Sequence, residues 1–420
     1  MNPPRRVLLL TTPTSYRTRA FVDAAERLRI QALVVEDTPE VLRVSRPAGF
    51  AVDFGQPERA TEEIVRLVVE LPVRAVIPVD DAGTVLAARV ATRLGLPSND
   101  PDAALAARDK WLMRQRFAAA GVRAPQAQAF PALADPREVV ADLRFPCVVK
   151  PTRLSGSRGV IRTDGPDQFV AAFERVRHIL ASDGIDLAQA WILVEPFVPG
   201  FEVAVEGLLT DGRLHVLAIF DKPDPLDGPY FEETIYVTPS RLPENVQARI
   251  VATTAEAARA LGLWTGPIHA ELRVNESGPW VIEIAGRSIG GLCSRILEFG
   301  TGMTLEELIL AHAVGDPVPT IARRGGAAGV MMIPIPARGI LKDVEGLERA
   351  RAVPGIVDVE ITARRNHRIV PLPEGASYLG FIFARGDDPA AVEDSLRRAH
   401  RHLSFRIAPE LPVVPLASRR

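Results

Sequence analysis

Lysine is nearly absent from this chain. Of 50 basic residues only Lys110, Lys150, Lys222 and Lys342 are lysine, so arginine serves almost wherever a positive charge is wanted. The lysines that remain invite attention, because an ammonium is a compact point charge that fits a phosphate or small anion where a guanidinium fork does not. Codon chance explains any single one of them equally well. Excess charge is lacking too: a formal net charge of −2 leaves no basic stripe to neutralise phosphates and excludes a general nucleic-acid surface. No apolar run reaches the roughly 20 residues that cross a bilayer as a helix. Met1 to Arg6 lead into a short apolar run without a small-residue cleavage pattern. Two cysteines, Cys147 and Cys293, form no disulfide framework and no metal spacing, which fits a reducing cytoplasm. Gly-x-Gly-x-x-Gly after the first strand and a Walker A loop are both missing.

What is present is ordinary globular composition, 47% hydrophobic and 24% charged, over 420 residues, enough for roughly three domains of about 150 residues each. Residues 1–100 alternate strand and helix: strands at 6–12, 32–36 and 75–80, helices at about 18–28, 61–70 and 83–94, the rhythm of a doubly wound α/β unit. Asp80 and Asp81 fall at a strand's carboxyl end, where open α/β sheets bind ligands; Asp81 as a cap of the next helix is the alternative. After a turn-rich joint at 95–101, a helix carries Asp109-Lys110-Trp111 and ends near Gly121. A buried strand, 145–151, then ends in Lys150, and Leu154-Ser155-Gly156-Ser157-Arg158-Gly159-Val160 follows. Such a small-residue loop is either a backbone nest for phosphate oxygens or an ordinary hairpin turn.

An apolar strand at 191–195 breaks at Pro196 and Pro199, resumes at 201–209, turns at Asp211-Gly212 and returns to Asp221-Lys222. Segment 223–240, with Pro223, Pro225, Gly228, Pro229 and Pro239, reads as an irregular loop over a site. A helix at 244–261 leads to the most informative stretch, Ile268–Val274 and Trp280–Arg287 joined by Asn275-Glu276-Ser277-Gly278-Pro279. In the first arm Ala270, Leu272 and Val274 take one face and His269, Glu271 and Arg273 the other. Setting Val274 opposite Trp280 places Glu271 opposite Glu283 and His269 opposite Ala285. Carboxylates so paired lie about 5 Å apart at Cβ and repel, so either they point to water or a cation such as Mg²⁺ sits between them. Arg287 shares the parity of Glu283, and Gly290-Gly291 permits close approach to a ligand or makes a tight turn. From about Gly325, strands at 328–335, 357–362 and 378–384 and a helix at 389–403 form a small α+β unit without clustered chemistry, and the tail from Ala408 reads as a surface strap or frayed end.

Lys110, Lys150, the Gly/Ser loop, Glu195 with Glu202 seven residues on, Glu271 and Glu283 form an ordered series that resembles the ATP-grasp ligases over residues 1 to about 320. Glu283-Ile284-Ala285-Gly286-Arg287 before Gly290-Gly291, and Asp221-Lys222 before Gly228–Glu233 and Pro239-Ser240, are similar to the branch of amino-acid ligases that make dipeptides. The resemblance implies an ATP-grasp fold of α/β plus α+β class. An N-terminal Rossmann-like domain (1–100) would precede a lid lobe (101–195), a large lobe with the metal site (196–322) and a C-terminal α+β domain (323–420). It implies ATP phosphates on Lys110, Lys150 and the loop of Ser155, Gly156, Ser157 and Gly159. Glu195 would lie at the adenine, with the Pro196 carbonyl and Val198 N–H bonded to it, and Glu202 would take the ribose. Mg²⁺, or Mn²⁺, would lie on Glu271 and Glu283, and the phosphoryl group on Arg287. Lys222, Glu233, Gly290 and Gly291 would face substrate, and His269 would contact the amino-acid substrate, assist amine deprotonation or be structural. Ala285 stands where many members have Asn, removing one neutral metal ligand. The implied reaction is carboxylate–amine ligation through an acyl phosphate, by a cytoplasmic enzyme with small-molecule partners, no nucleic acid or membrane, and a possible homodimer. A carboxylating or nucleotide-biosynthetic relative and a non-catalytic ATP-binding module are the alternatives.

Overall fold

The computed structural model describes residues 5–38, 50–317 and 321–410. At the N-terminus, β1 (Arg6–Thr11), α1 (Thr18–Arg27), β2 (Gln31–Asp37), β3 (Phe50–Val52), α2 (Pro57–Glu70), β4 (Ala75–Pro78) and α3 (Thr84–Leu94) build a parallel sheet of order β3-β2-β1-β4. Helices cover both faces, which is why β1 is apolar without alternation. Val7 and Leu9 pack with Phe21 and Ala24 of α1, while Leu8 and Leu10 pack with Ile64 of α2 and Val90 of α3.

The single helix expected around Asp109 is two. α4 (Pro101–Arg108) stops at Asp109, whose extended backbone and carboxylate, accepting the Trp111 and Leu112 N–H groups, cap α5 (Lys110–Ala120). Lys110 is thereby the first helical residue. Gly121, at φ +69°, ends the helix where a side chain would be strained.

β5 (Gln128–Pro131), α6 (Pro136–Val139), β6 (Cys147–Pro151), β7 (Ile161–Thr163), α7 (Pro166–Ser182) and β8 (Trp191–Pro196) form the next layer, an antiparallel sheet of order β5-β8-β6-β7. One face of it buries Val149, Ile161, Ile192 and Val194 against Phe169, Phe173 and Val176 of α7.

The remaining elements are β9 (Phe201–Thr210), β10 (Arg213–Lys222), β11 (Ile235–Thr238), α8 (Glu244–Leu261), β12 (Gly266–Asn275), β13 (Gly278–Ala285), β14 (Glu298–Phe299), β15 (Met303–Thr304), α9 (Leu305–Ala313), β16 (Ala327–Ile333), β17 (Gly339–Glu345), α10 (Leu347–Arg351), β18 (Ile356–Ile361), β19 (Arg368–Ile369), β20 (Gly380–Gly386), α11 (Pro389–Arg401) and β21 (Ser404–Ala408). Eight of these strands make one antiparallel sheet of order β13-β12-β9-β10-β11-β16-β20-β18.

Two expectations change here. Segment 223–240 is not wholly irregular, because β11 sits inside it and pairs Ile235 to Thr238 with Met331 to Ala328 of β16. Through that pairing the large sheet runs continuously from β13 across residue 322 into the C-terminal strands. Most of the tail, 411–420, lies outside the described residues, as do Met1 to Pro4; Ser404–Ala408, however, is a strand paired with β17.

The acidic hairpin also departs from its expected register. Asn275 pairs Gly278, so the turn is only Glu276-Ser277, and Trp280 faces Arg273 instead of Val274. Ile282 is then an extra residue in β13, a bulge that restores Glu271 opposite Glu283 and His269 opposite Ala285. Without the bulge, the shorter turn would carry Glu283 to the opposite face.

Candidate active site

The ends of β1 and β4, the first turn of α5, the β6–β7 loop, β8 and the acidic hairpin line one cleft of about 500 Å³. Lys110, buried at the start of α5, donates to the Leu154 carbonyl at 2.8 Å and to Glu283 Oε1 at 3.2 Å. It ties the β6–β7 loop to one of the paired acids. Lys150, at the end of β6, donates to Glu195 on the neighbouring β8. Arg114 holds the same carboxylate by Nε to Oε2 at 2.9 Å and Nη2 to Oε1 at 3.2 Å. Burial works against the charge of Glu195, but Arg114 and then Lys150 outweigh it and keep the carboxyl below its usual range.

Register builds the second cluster. Lys222 of β10, Glu202 of β9 and Arg273 of β12 stand side by side across three strands. Lys222 Nζ reaches Glu202 Oε1 at 2.9 Å, and Arg273 Nε reaches Glu202 Oε2 at 3.0 Å. Lys222 also bonds Glu233 and lies 3.4 Å from Glu271 Oε2. Burial opposes its charge, yet Glu202, Glu233 and Glu271 outweigh burial and hold the ammonium well above its ordinary range. Ligand oxygens of Glu202, Glu233 and Glu271 come within 4.8 Å of one another, with the Lys222 ammonium bonded to or facing each.

Glu271 is the acid left short of positive charge. Burial, with Glu233, Glu202 and Glu283, outweighs the pull of Lys222 and pushes its carboxyl up to about 8. A second carboxylate opposite it, on Glu283, makes a donor set that suits a hard divalent cation, and Ala285 adds no oxygen to it.

At the N-terminal wall, Asp81 accepts both Nε and Nη2 of Arg287, at 2.9 and 2.8 Å. It does not cap the next helix, since the N-cap of α3 is Gly83. Asp80 accepts from the Thr12 N–H at 3.0 Å and the Ser15 hydroxyl at 2.8 Å, fixing the loop after β1. His269 Nδ1 lies 3.1 Å from Glu206, which is fully buried and accepts the Ile289 N–H at 3.0 Å, just before Gly290-Gly291.

This geometry has counterparts among known proteins. Family models describe residues 22–98 as an ATP-grasp N-terminal domain, 143–296 as an ATP-grasp domain and 331–408 as L-amino acid ligase C-terminal domain 2. The chain belongs to the ATP-grasp superfamily. A crystal structure of L-amino acid ligase from Bacillus licheniformis superposes with a TM-score of 0.80 at 28% identity, over 96% of this chain and 99% of that one. An uncharacterized protein of Sinorhizobium fredii is 25% identical, over 96% of this chain and 84% of that protein. The alanine–anticapsin ligase of Bacillus subtilis is 30% identical over 61% of this chain, and the match spans 58% of that ligase's length.

Within the ATP-grasp cleft the structure gathers Lys110, Lys150, Ser155, Gly156, Ser157, Glu195, Pro196, Val198, Glu202, Glu233, His269, Glu271, Glu283, Arg287, Gly290 and Gly291. Gly159 and Lys222 are not among the lining residues. Gly159 has φ +72°, a Cβ there would come 3.1 Å from the Pro151 ring, and its N–H donates to the Pro373 carbonyl. Lys222 lies buried beneath the acids. Sequence reasoning assigns no role to Arg114, Glu206, Met332 or Tyr378; it points to the loop 11–18 that carries Tyr16 and Arg17, and to the polar face of β12 that carries Arg273, without assigning their side chains. For Arg114 a signal existed, since it lies four residues after Lys110 on one helix. The C-terminal unit expected to be without chemistry contributes Ala376, Ser377 and Tyr378 to the cleft.

Proposed function

We propose that this chain is an ADP-forming ligase: it phosphorylates a carboxylate with ATP and passes the acyl group to an amine, with amino acids as the substrate class. The observation that carries the reading is the pair Glu271 and Glu283, opposed across a bulged hairpin, with Lys110 on one acid and Arg287 at the strand's end. Phosphoryl transfer asks for positioning and charge neutralisation, not covalent chemistry by the protein.

In this reading Lys110, Lys150 and the loop of Ser155, Gly156 and Ser157 hold the phosphates, while the Pro196 carbonyl and Val198 N–H address the adenine beside Glu195 and Glu202 takes the ribose. Pro196 fits, since it lacks a donor but keeps the carbonyl an amino group needs. Glu271 and Glu283 would hold Mg²⁺ or Mn²⁺, which would supply charge neutralisation for the phosphoryl transfer. Arg287, oriented by Asp81, faces the transferred phosphoryl group. His269, whose Nδ1 lies against Glu206, would take the amine's proton. Lys222 acts from below by holding Glu202, Glu233 and Glu271, and Gly290 and Gly291 let substrate approach the backbone. Nucleic acid and membrane have no part in it; a cytoplasmic setting and a homodimer complete the reading.

The test is phosphate release from ATP and Mg²⁺ across a matrix of single and paired amino acids, with mass spectrometry of each active mixture. Release together with a mass equal to two substrates minus water is the expected result. Release with bicarbonate alone would replace the ligase with a carboxylating reading, and ATP binding without release in any mixture would leave a nucleotide-binding module.

A further inference from the structure

The 371–378 loop of the C-terminal unit touches both ends of the cleft. On one side it grips the β6–β7 loop: the Gly159 N–H donates to the Pro373 carbonyl at 2.9 Å, and Arg158 Nε donates to the Glu374 carbonyl at 2.6 Å. The Glu374 carboxylate takes both arms of Arg175 on α7, Nε at 2.6 Å and Nη2 at 3.0 Å, and Arg175 also bonds the Tyr230 hydroxyl. The hydrogen bond from Arg175 leads the effects that hold the Glu374 carboxyl below its usual range. On the other side, four residues after Glu374, Tyr378 lines the cleft and meets Phe381 edge-on at 6.1 Å. Phe381 in turn meets Tyr16 from the N-terminal wall, at 6.1 Å, and closes on Gly291, where a Cβ would come within 3.0 Å of its ring. Between the two sides Gly375 packs under the Val370 carbonyl, where any side chain would collide.

We infer that Glu374 is a positioning residue that couples closure of the phosphate loop to occupancy of the acid and amine end. It rests on the ligase reading above. Substrate settled against Tyr378 and Gly291 orders the 371–378 loop, and through Glu374 that loop holds Arg175, Arg158 and the Ser155–Gly159 backbone over ATP. When the pair is broken, the loop closes poorly and water reaches the acyl phosphate. Water then takes the place of the amine at the acyl carbon, the carbon–oxygen bond to phosphate breaks, and free carboxylate and phosphate leave without ligated product.

The experiment compares wild type, E374Q, R175E and the charge-reversed double variant E374R/R175E, measuring phosphate released and product formed in the same mixture. Both side chains are partly exposed, so all variants should fold, which circular dichroism confirms independently. Wild type releases about one phosphate per product, as an acyl phosphate route demands. E374Q and R175E should raise KM for ATP roughly two- to fivefold, the range a partly exposed ion pair supports, and raise phosphate per product severalfold. The double variant should bring the ratio back toward one. A ratio that stays at one in both single variants overturns the inference, as does a double variant no better than its parents. If wild type itself makes no ligated product, the ligase reading fails instead, and the two failures are distinct.

Discussion

At the scale of single residues, three of the four lysines meet in or beneath one cleft, while Lys342 lies at the surface beside Asn366. The scarcity of lysine was therefore a legible signal, because it separates point charges chosen for small anions from general positive charge. The same economy hid the arginines. Arg17, Arg114 and Arg273 are buried and bonded at the cleft; helix spacing from Lys110 points to Arg114 and strand alternation to Arg273, but residue type alone, in an arginine-rich chain, distinguishes none of them from surface charge. Two substitutions probe this scale. Glu283→Gln keeps the side chain's shape and removes its charge, so ADP formation should vanish while the far-UV spectrum stays unchanged; normal turnover would remove Glu283 from the metal set. Asp81→Asn loosens the two-armed grip on Arg287 and should lower kcat by roughly ten- to a hundredfold, the equivalent of one charge-assisted hydrogen bond. Steady-state kinetics showing an unchanged kcat would mean that Arg287 finds its position unaided.

At the scale of elements, the acidic hairpin teaches most. Alternation along β12 identified its buried and polar faces, and Ala270 and Leu272 are fully buried as that pattern requires. The pairing register next to the turn differs from the expected one by one residue, and the bulge at Ile282 cancels the difference. Neither is visible in alternation, since a bulge belongs to the pairing of two strands, here β13 with β12, and not to the pattern of either alone. The split at Asp109 has a clearer local cause, an N-cap followed by a fresh helix, which can be tested directly. Asp109→Ala removes the acceptor of two backbone N–H groups and should cost about 1 kcal/mol in urea unfolding. It should also raise KM for ATP, because Lys110 rides on the first turn of that helix; a variant with lowered stability and unaltered KM would separate the cap from the site.

At the scale of the whole molecule, one sheet crosses the joint between the central and C-terminal parts. Val330, Met332, Phe381 and Phe383 belong to the same core cluster as Phe220 and Tyr236, so the end of the chain completes the core that carries the acids. A chain ending at residue 322 would leave the β11 edge unpaired and that core open to water. It should be recovered as aggregate, and a monodisperse, ATP-binding product on size exclusion would show that the central lobe stands alone.

The sequence by itself determined the class of fold, the order of the lysines and acids and the polar face of the hairpin, because periodicity and residue type act over a few positions. Tertiary structure decided which groups meet: Arg287 with Asp81, Lys222 with three carboxylates, Glu374 with Arg175. These partners lie 11 to 206 positions apart in the chain, and a pairing at such range is set by how sheets pack and strands register, not by any pattern that a local stretch of sequence can carry.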